Sequence, residues 1–176
     1  KGADPVARVE MASTGEVACL GRSFLEAFWN SWRATEQQIN GKRLLISVGD
    51  VVKKARFVET IRKLEGTGWT IYATEGTHDF LSNHGIGSLC LFKMSDGMEP
   101  NIETIIEEKA IDLVINIPRS APNQKNQTEG YKVRRLAVDH RIPLITNMEH
   151  ADVFLKCLTE LNPTDIQVKT WKEYTK

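Results

Sequence analysis

Trp69-Thr70-Ile71-Tyr72-Ala73-Thr74-Glu75-Gly76-Thr77-His78-Asp79-Phe80-Leu81 decides how this chain folds. Trp69 to Tyr72 is an apolar, strand-like run, and Thr77 to Leu81 opens a helix-like one. A strand that turns through glycine into a helix leaves backbone N–H groups free at the helix N-terminus. Those groups and the helix dipole attract an anion, typically a phosphate or carboxylate. Thr74 and Thr77 add hydroxyl donors on either side of the turn. The same residues also fit a plainer role, with Thr77 as an N-cap and Gly76 as a turn residue.

Outward from this unit, strands and helices alternate. Strand-like runs fall at Leu44–Val48, Thr70–Thr74, Ser88–Phe92, Asp112–Ile117 and Pro143–Asn147. Helical spacing predicts helices over Lys53–Leu64, Thr77–His84, Asn101–Lys109, Gly130–His140 and Glu149–Leu161, with Asn101 as a cap. Asp165–Val168 reads as a short edge strand. Five apolar runs separated by helices predict a three-layer α/β/α fold with a five-stranded parallel sheet. Ahead of it, Val6–Met11 and Glu16–Leu20 read as extended chain, and Ser23–Trp32 as a helix capped by Ser23. The expected division is 1–36 as a leading segment, 37–43 as a linker and 44–176 as the α/β domain. Trp29 and Trp32 read as packing residues where the parts join.

Lys and Arg together number 23, as do Asp and Glu, so the formal net charge is zero. A neutral chain argues against bulk nucleic-acid or anionic-membrane binding. Lys42, Arg43, Lys53, Lys54, Arg56, Arg62 and Lys63 cluster in one stretch, most of which reads as a solvated helix face. Cys19, Cys90 and Cys157 form no C-x-x-C pair and read as free buried thiols of a reducing compartment. No run has the length of a membrane span and no signal-peptide pattern opens the chain. Lys1 in place of Met suggests a piece of a longer polypeptide.

In parallel sheets, ligands bind beyond the C-terminal strand ends where strand order reverses. Three strand ends carry suitable residues: Val48 followed by Lys53-Lys54, Thr74–Thr77, and Asn116-Ile117-Pro118-Arg119. Lysine, two threonines, asparagine and free N–H groups make a phosphate or carboxylate cradle. The chain has no G-x-x-x-x-G-K-[ST] loop, no G-x-G-x-x-G after the first strand and no G-x-S-x-G elbow. His78, His84, His140 and His150 lack metal-ligand spacing, so no metal is expected. Ser95-Asp96-Gly97-Met98-Glu99 holds two carboxylates and fits an exposed acidic turn better than an acid–base pair.

Two stretches together resemble a known family. Val9-Glu10-Met11-Ala12-Ser13-Thr14-Gly15-Glu16-Val17 and Gly21-Arg22-Ser23-Phe24-Leu25-Glu26-Ala27-Phe28 resemble the end of the second synthetase half of the carbamoyl-phosphate synthetase large subunit. Leu45-Ile46-Ser47-Val48, Tyr72-Ala73-Thr74-Glu75-Gly76-Thr77, Ile111–Asn116, Arg134–Asp139 and Ile142–Thr146 resemble the methylglyoxal-synthase-like, Rossmann-type domain that ends that subunit. The resemblance implies a regulatory, allosteric domain without chemistry of its own. The expected effector is a nucleotide such as UMP or IMP, with ornithine near the synthetase contact. Lys54, Thr74, Thr77, Lys93 and Asn116 match the family's phosphate-binding positions, and Thr146 an ornithine contact. The implied partners are the synthetase core of the same polypeptide and a glutaminase subunit or domain, with ATP and Mg or Mn used by the parent alone. The parent is expected in the cytoplasm, or in a mitochondrion or plastid of a eukaryote, serving pyrimidine and arginine biosynthesis.

The chain departs from that pattern in places. Ile117 and Pro118 stand where the bacterial pattern has two threonines. Arg119 either replaces those hydroxyls or is a solvent-facing loop arginine. Lys93, Arg119 and Gly130 differ from the aromatic and asparagine residues of N-acetylglutamate-activated members, which argues against that effector. Two other functions fit less well. Methylglyoxal synthase chemistry would need a G-G-D loop where Asp96-Gly97-Met98-Glu99-Pro100 stands and a second Asp in the place of Arg119, and a pure interaction domain would leave the cradle residues without purpose.

Overall fold

The computed structural model describes residues 17–35, 37–118, 129–162, 166 and 169–174. Arg119, the 6–16 part of the expected extended segment and all but Ile166 of the expected edge strand lie outside them. Val17–Leu20 is in neither helix nor strand.

The strands are β1 (Arg43–Val48), β2 (Thr70–Thr74), β3 (Leu89–Leu91), β4 (Leu113–Ile117) and β5 (Leu144–Ile145). They form one parallel sheet in the order β3-β2-β1-β4-β5. The helices are α1 (Phe24–Ala34), α2 (Val51–Gly66), α3 (Glu75–Ser82), α4 (Ile102–Glu107), α5 (Glu129–Asp139), α6 (Met148–Glu160) and α7 (Trp171–Tyr174). None is long and apolar enough to cross a membrane among the described residues.

Strand alternation divides the core in two. Leu44, Ile46, Val48, Ile71, Ala73, Leu113 and Ile115 face Phe57, Ile61 and Leu64 of α2, Leu81 of α3 and Met148, Ala151, Phe154 and Leu155 of α6. Leu45, Leu91 and Val114 face Ile102 and Ile106 of α4 and Val133 and Ala137 of α5. The expected three layers are therefore present. Helix α1 lies outside α6, where Trp32 and Trp29 pack on Phe154 at ring-centroid distances of 4.9 and 5.7 Å. Ser23 caps α1 by accepting from the Glu26 N–H at 3.2 Å, as its hydroxyl before an apolar stripe predicts.

Several boundaries move for local reasons. Helix α3 starts at Glu75, not Thr77, so its N-cap is Thr74 in extended backbone (φ −66°, ψ 150°) and Gly76 is helical rather than a turn residue. Strand β5 is shorter than Pro143–Asn147, because Asn147 turns away to cap α6, accepting from the His150 N–H at 2.8 Å. Strand β3 ends at Leu91, and Phe92 makes only an isolated bridge to Asn101. The linker ends one residue early, since Arg43 opens β1 over a fork to Asp112 at 2.7 and 2.8 Å. All three cysteines are free, but only Cys157 is buried; Cys19 and Cys90 are half-buried. Both Glu99 oxygens serve Asn101 and Thr104 at the start of α4, which gives the acidic loop a structural task.

Candidate functional site

The sheet reverses its winding between β1 and β4. Helices α2 and α5 leave those strands towards opposite faces, which opens a crevice at the C-terminal edge. Parallel register sets residues of three strands side by side there. Ser47 pairs with Asn116, and Ile46 with Ala73, so Thr74 comes next to Ser47. The Thr74 hydroxyl bonds Ser47 Oγ at 3.2 Å and reaches Thr77 Oγ1 at 3.4 Å. Thr74, Ser47 and Asn116 thus form a polar row where the apolar strands end.

Cationic side chains surround the row. Lys54, in the first turn of α2, donates to the Gly76 carbonyl and holds its ammonium 5.8 Å from the Phe80 ring centroid. Lys53 crosses the crevice to the Pro118 carbonyl at 3.1 Å and pairs with Asp50 at 3.0 Å. Lys93, just past β3, lies 3.3 Å from Glu75 and 3.8 Å from Asp96. Its hydrogen bond to Glu75, together with the charges of Glu75 and Asp96, raises its pKa above the ordinary lysine value. Arg134 of α5 donates to Asn116 Oδ1 at 2.6 Å. A Cβ on Gly130 would sit 3.2 Å from the Arg134 guanidinium on the same helix and 3.5 Å from Asn116 Oδ1, so Gly130 lies directly beside this pair.

Thr77 is 3% exposed, and its hydroxyl accepts the Val48 N–H at 3.1 Å. The register of β1 with β2 runs to Ile46 and Ala73, and just beyond it α3 supplies the acceptor for β1. Thr146 is exposed after β5, at the same edge but two strands from β1. Lys54, Thr74, Thr77, Lys93 and Asn116 therefore share one edge, with Thr146 to its side.

Sequence reasoning passed over Ser47 and Arg134 and named Lys53 only together with Lys54 after the end of β1. Ser47 carried the same signal as Asn116, a lone polar residue one position from the end of an apolar strand. The reach of Arg134 depends on the crevice and had no local signal, and which partner Lys53 finds across it had none either. Two clefts lie elsewhere: one between α1 and residues 37–40, the other at the opposite sheet edge beside Arg43 and Asp112. Among the described residues, no three His, Cys, Asp or Glu side chains are grouped to hold a metal. The edge offers ammonium, guanidinium and hydroxyl groups. The first-turn N–H groups of α3, which have no partner within the helix, add to them. Such a set suits an oxyanion.

Residues 56–146 match the family described as MGS-like domain. The chain is 37% identical over 173 residues to Multifunctional protein URA2 of Saccharomyces cerevisiae, covering 94% of this chain and 8% of that protein. It is 34% identical over 169 residues to human Carbamoyl-phosphate synthase [ammonia], mitochondrial, covering 94% of this chain and 11% of that protein. The chain thus spans about a tenth of the length of these relatives. A methylglyoxal synthase from Elizabethkingia anophelis superposes with a TM-score of 0.50 at 20% identity, over 77% of this chain and 91% of that one, a likeness of fold. The matched residues span β1's neighbours on both sides of the crevice, and the chain belongs to the MGS-like domain family.

Proposed function

We propose that this chain is the effector-binding domain of a carbamoyl-phosphate synthase and takes the phosphate of a nucleotide at the crevice edge. The row of Thr74, Ser47 and Asn116, ringed by Lys54, Lys93 and Arg134, carries this reading. Lysine and arginine would meet the phosphate charge, and the Thr74 hydroxyl and α3 N–H groups its remaining oxygens. The 34% identity to a protein named for carbamoyl phosphate synthesis supports the parent's activity. Bicarbonate, ammonia and ATP with its metal would then be handled by a synthetase core in the same polypeptide, fed by a glutaminase. The parent would act in the cytoplasm, or in a mitochondrion as that relative does by name.

Regulation would be linkage. An effector that prefers one arrangement of domain and core shifts the core by its differential affinity, typically about 1–3 kcal/mol. A packed route supports this. Helix α2 carries Lys54 at one end, pairs with α6 through Arg56–Glu149 and Lys63–Glu160, and α6 carries α1 on Phe154.

Calorimetric and thermal-shift titrations with UMP, UTP, IMP, ornithine and N-acetylglutamate test the reading. A ligand at 100 times its dissociation constant adds about 2.7 kcal/mol of stability. At about 2–4 °C per kcal/mol for a chain of this size, the melting point rises by about 5–11 °C. Lys54→Ala abolishes the shift. No response to any nucleotide from the folded chain refutes nucleotide binding by this domain.

A further inference from the structure

Glu75 lies where the ligand of this site would place its charge. It is the first residue of α3, between Thr74, whose hydroxyl belongs to the polar row, and Gly76, whose carbonyl holds Lys54. A carboxylate in the first turn of a helix lies at its positive end, the same attraction that draws a phosphate there. Glu75 also reaches across to Lys93, with Oε2 3.3 Å from Nζ. Asp96 touches the same ammonium at 3.8 Å, and the charge of Glu129 acts on it as well. The Lys93 side chain is 51% exposed and that of Glu75 37%, so solvent and solutes reach the pair. Lys93 therefore has an internal anion partner.

We propose that Glu75 is a built-in competitor for the anion seat: it holds Lys93 when the seat is empty, must release it when a phosphate enters, and so sets the affinity of the site. This rests on the phosphate-binding reading given above. An entering phosphate meets Glu75 twice, as a like charge at the α3 terminus and as the rival for Lys93. Exposed ion pairs are weak, so the exchange is feasible, but it costs affinity. A purely helix-stabilising Glu75 predicts the opposite sign, because removing it would leave phosphate affinity unchanged or lower.

The test is titration of the 176-residue chain with inorganic phosphate, followed by NMR amide shifts, on the wild type, Glu75→Gln, Glu75→Asp, Lys93→Met and the Glu75→Gln/Lys93→Met pair. Glu75→Gln should bind phosphate about three- to tenfold tighter, the loss of one weak pair and one repulsion. Glu75→Asp keeps the charge and the first-turn acid but shortens the reach to Lys93, so it should show a smaller gain. Lys93→Met should weaken binding and remove most of the Glu75→Gln gain. Equal or weaker phosphate binding by Glu75→Gln overturns the competition while leaving the phosphate site standing. A gain that persists undiminished without Lys93 also overturns it, in favour of long-range charge alone. Folded proteins that all ignore phosphate overturn both this inference and the site beneath it.

Discussion

Thr77→Val separates a structural role from a ligand role at one of the two buried residues of the cradle. Valine keeps the β-branched shape and changes helix propensity little. It deletes one oxygen, the acceptor of the Val48 N–H at 3.1 Å, in a setting where Thr77 is 3% and Val48 4% exposed. Leaving a buried N–H unpaired costs about 1–3 kcal/mol. The Thr74–Thr77 contact at 3.4 Å adds little, because Thr74 keeps Ser47. A central cost of about 2 kcal/mol lowers the melting temperature by about 4–8 °C for a domain of this size. Thr77→Ser keeps the acceptor and gives up one methyl, at about 1 kcal/mol or less. Calorimetric melting and urea titration of both variants read the difference. A Thr77→Val midpoint within about 1 °C of wild type refutes the reasoning, since it would mean that the ladder end does not depend on this hydroxyl.

Other consequences follow from the packing and the charges. Arg43→Ala leaves the Asp112 carboxylate, 6% exposed, with the Arg43 backbone N–H in place of a fork; because Arg43 itself is 41% exposed, the loss is about 2 kcal/mol by urea unfolding, and Asp112→Asn in the same chain restores part of it. Trp32→Ala removes a half-buried ring from Trp29 and Phe154 and costs about 2 kcal/mol, read as a lower melting point and changed tryptophan fluorescence with the sheet intact. Burial pushes the Cys157 thiol up to about 12, from 9.0. Its contribution to stability is complete below pH 9, the unfolded value, and is lost as pH rises towards 12, because the unfolded thiol ionises first. At pH 8 a thiol reagent should therefore label half-buried Cys19 and Cys90 well before Cys157, and equal rates would contradict the packing of α6.

The sequence carried the fold where signals were local. Strands β1, β2 and β4 stand out because apolar runs are bounded by polar residues, and their ends moved by no more than one residue. The edge strands shrank because their terminal residues had other tasks, as Asn147 did in capping α6. The start of α3 was misjudged because glycine usually marks a turn, whereas Thr74 already provides the extended N-cap. The site was legible to the same extent. Asn116 and Thr74 interrupt apolar strands, and such interruptions show in one dimension. Thr77 as an acceptor for β1 does not, since it requires knowing that β1 runs beside β2. Lys53 and Arg134 act across the crevice, at sequence separations of 65 and 18, and no period of the chain encodes that.

Topology explains why polar residues gather there. Moving from β1 to β3, the chain crosses by α2 and α3 on one face; moving back to β4 and β5, it crosses by α4 and α5 on the other. Right-handed crossovers in both directions require that switch. At β1 and β4 the departing helices diverge, and one position before each strand end a polar residue, Ser47 or Asn116, stands between apolar neighbours; the terminal Val48 and Ile117 are themselves buried, and buried Asn116 is bonded by Arg134. The backbone around them is tied: Val48 N–H to Thr77, Gly49 N–H to Ile117 and Lys53 to Pro118. The contacts that can exchange with solutes are the exposed ones, above all Lys93 with Glu75. Ligand affinity at this edge should therefore respond to substitution of the lysines and Glu75, and fold stability to substitution of Thr77. A set of variants in which the two readouts moved together would contradict that division.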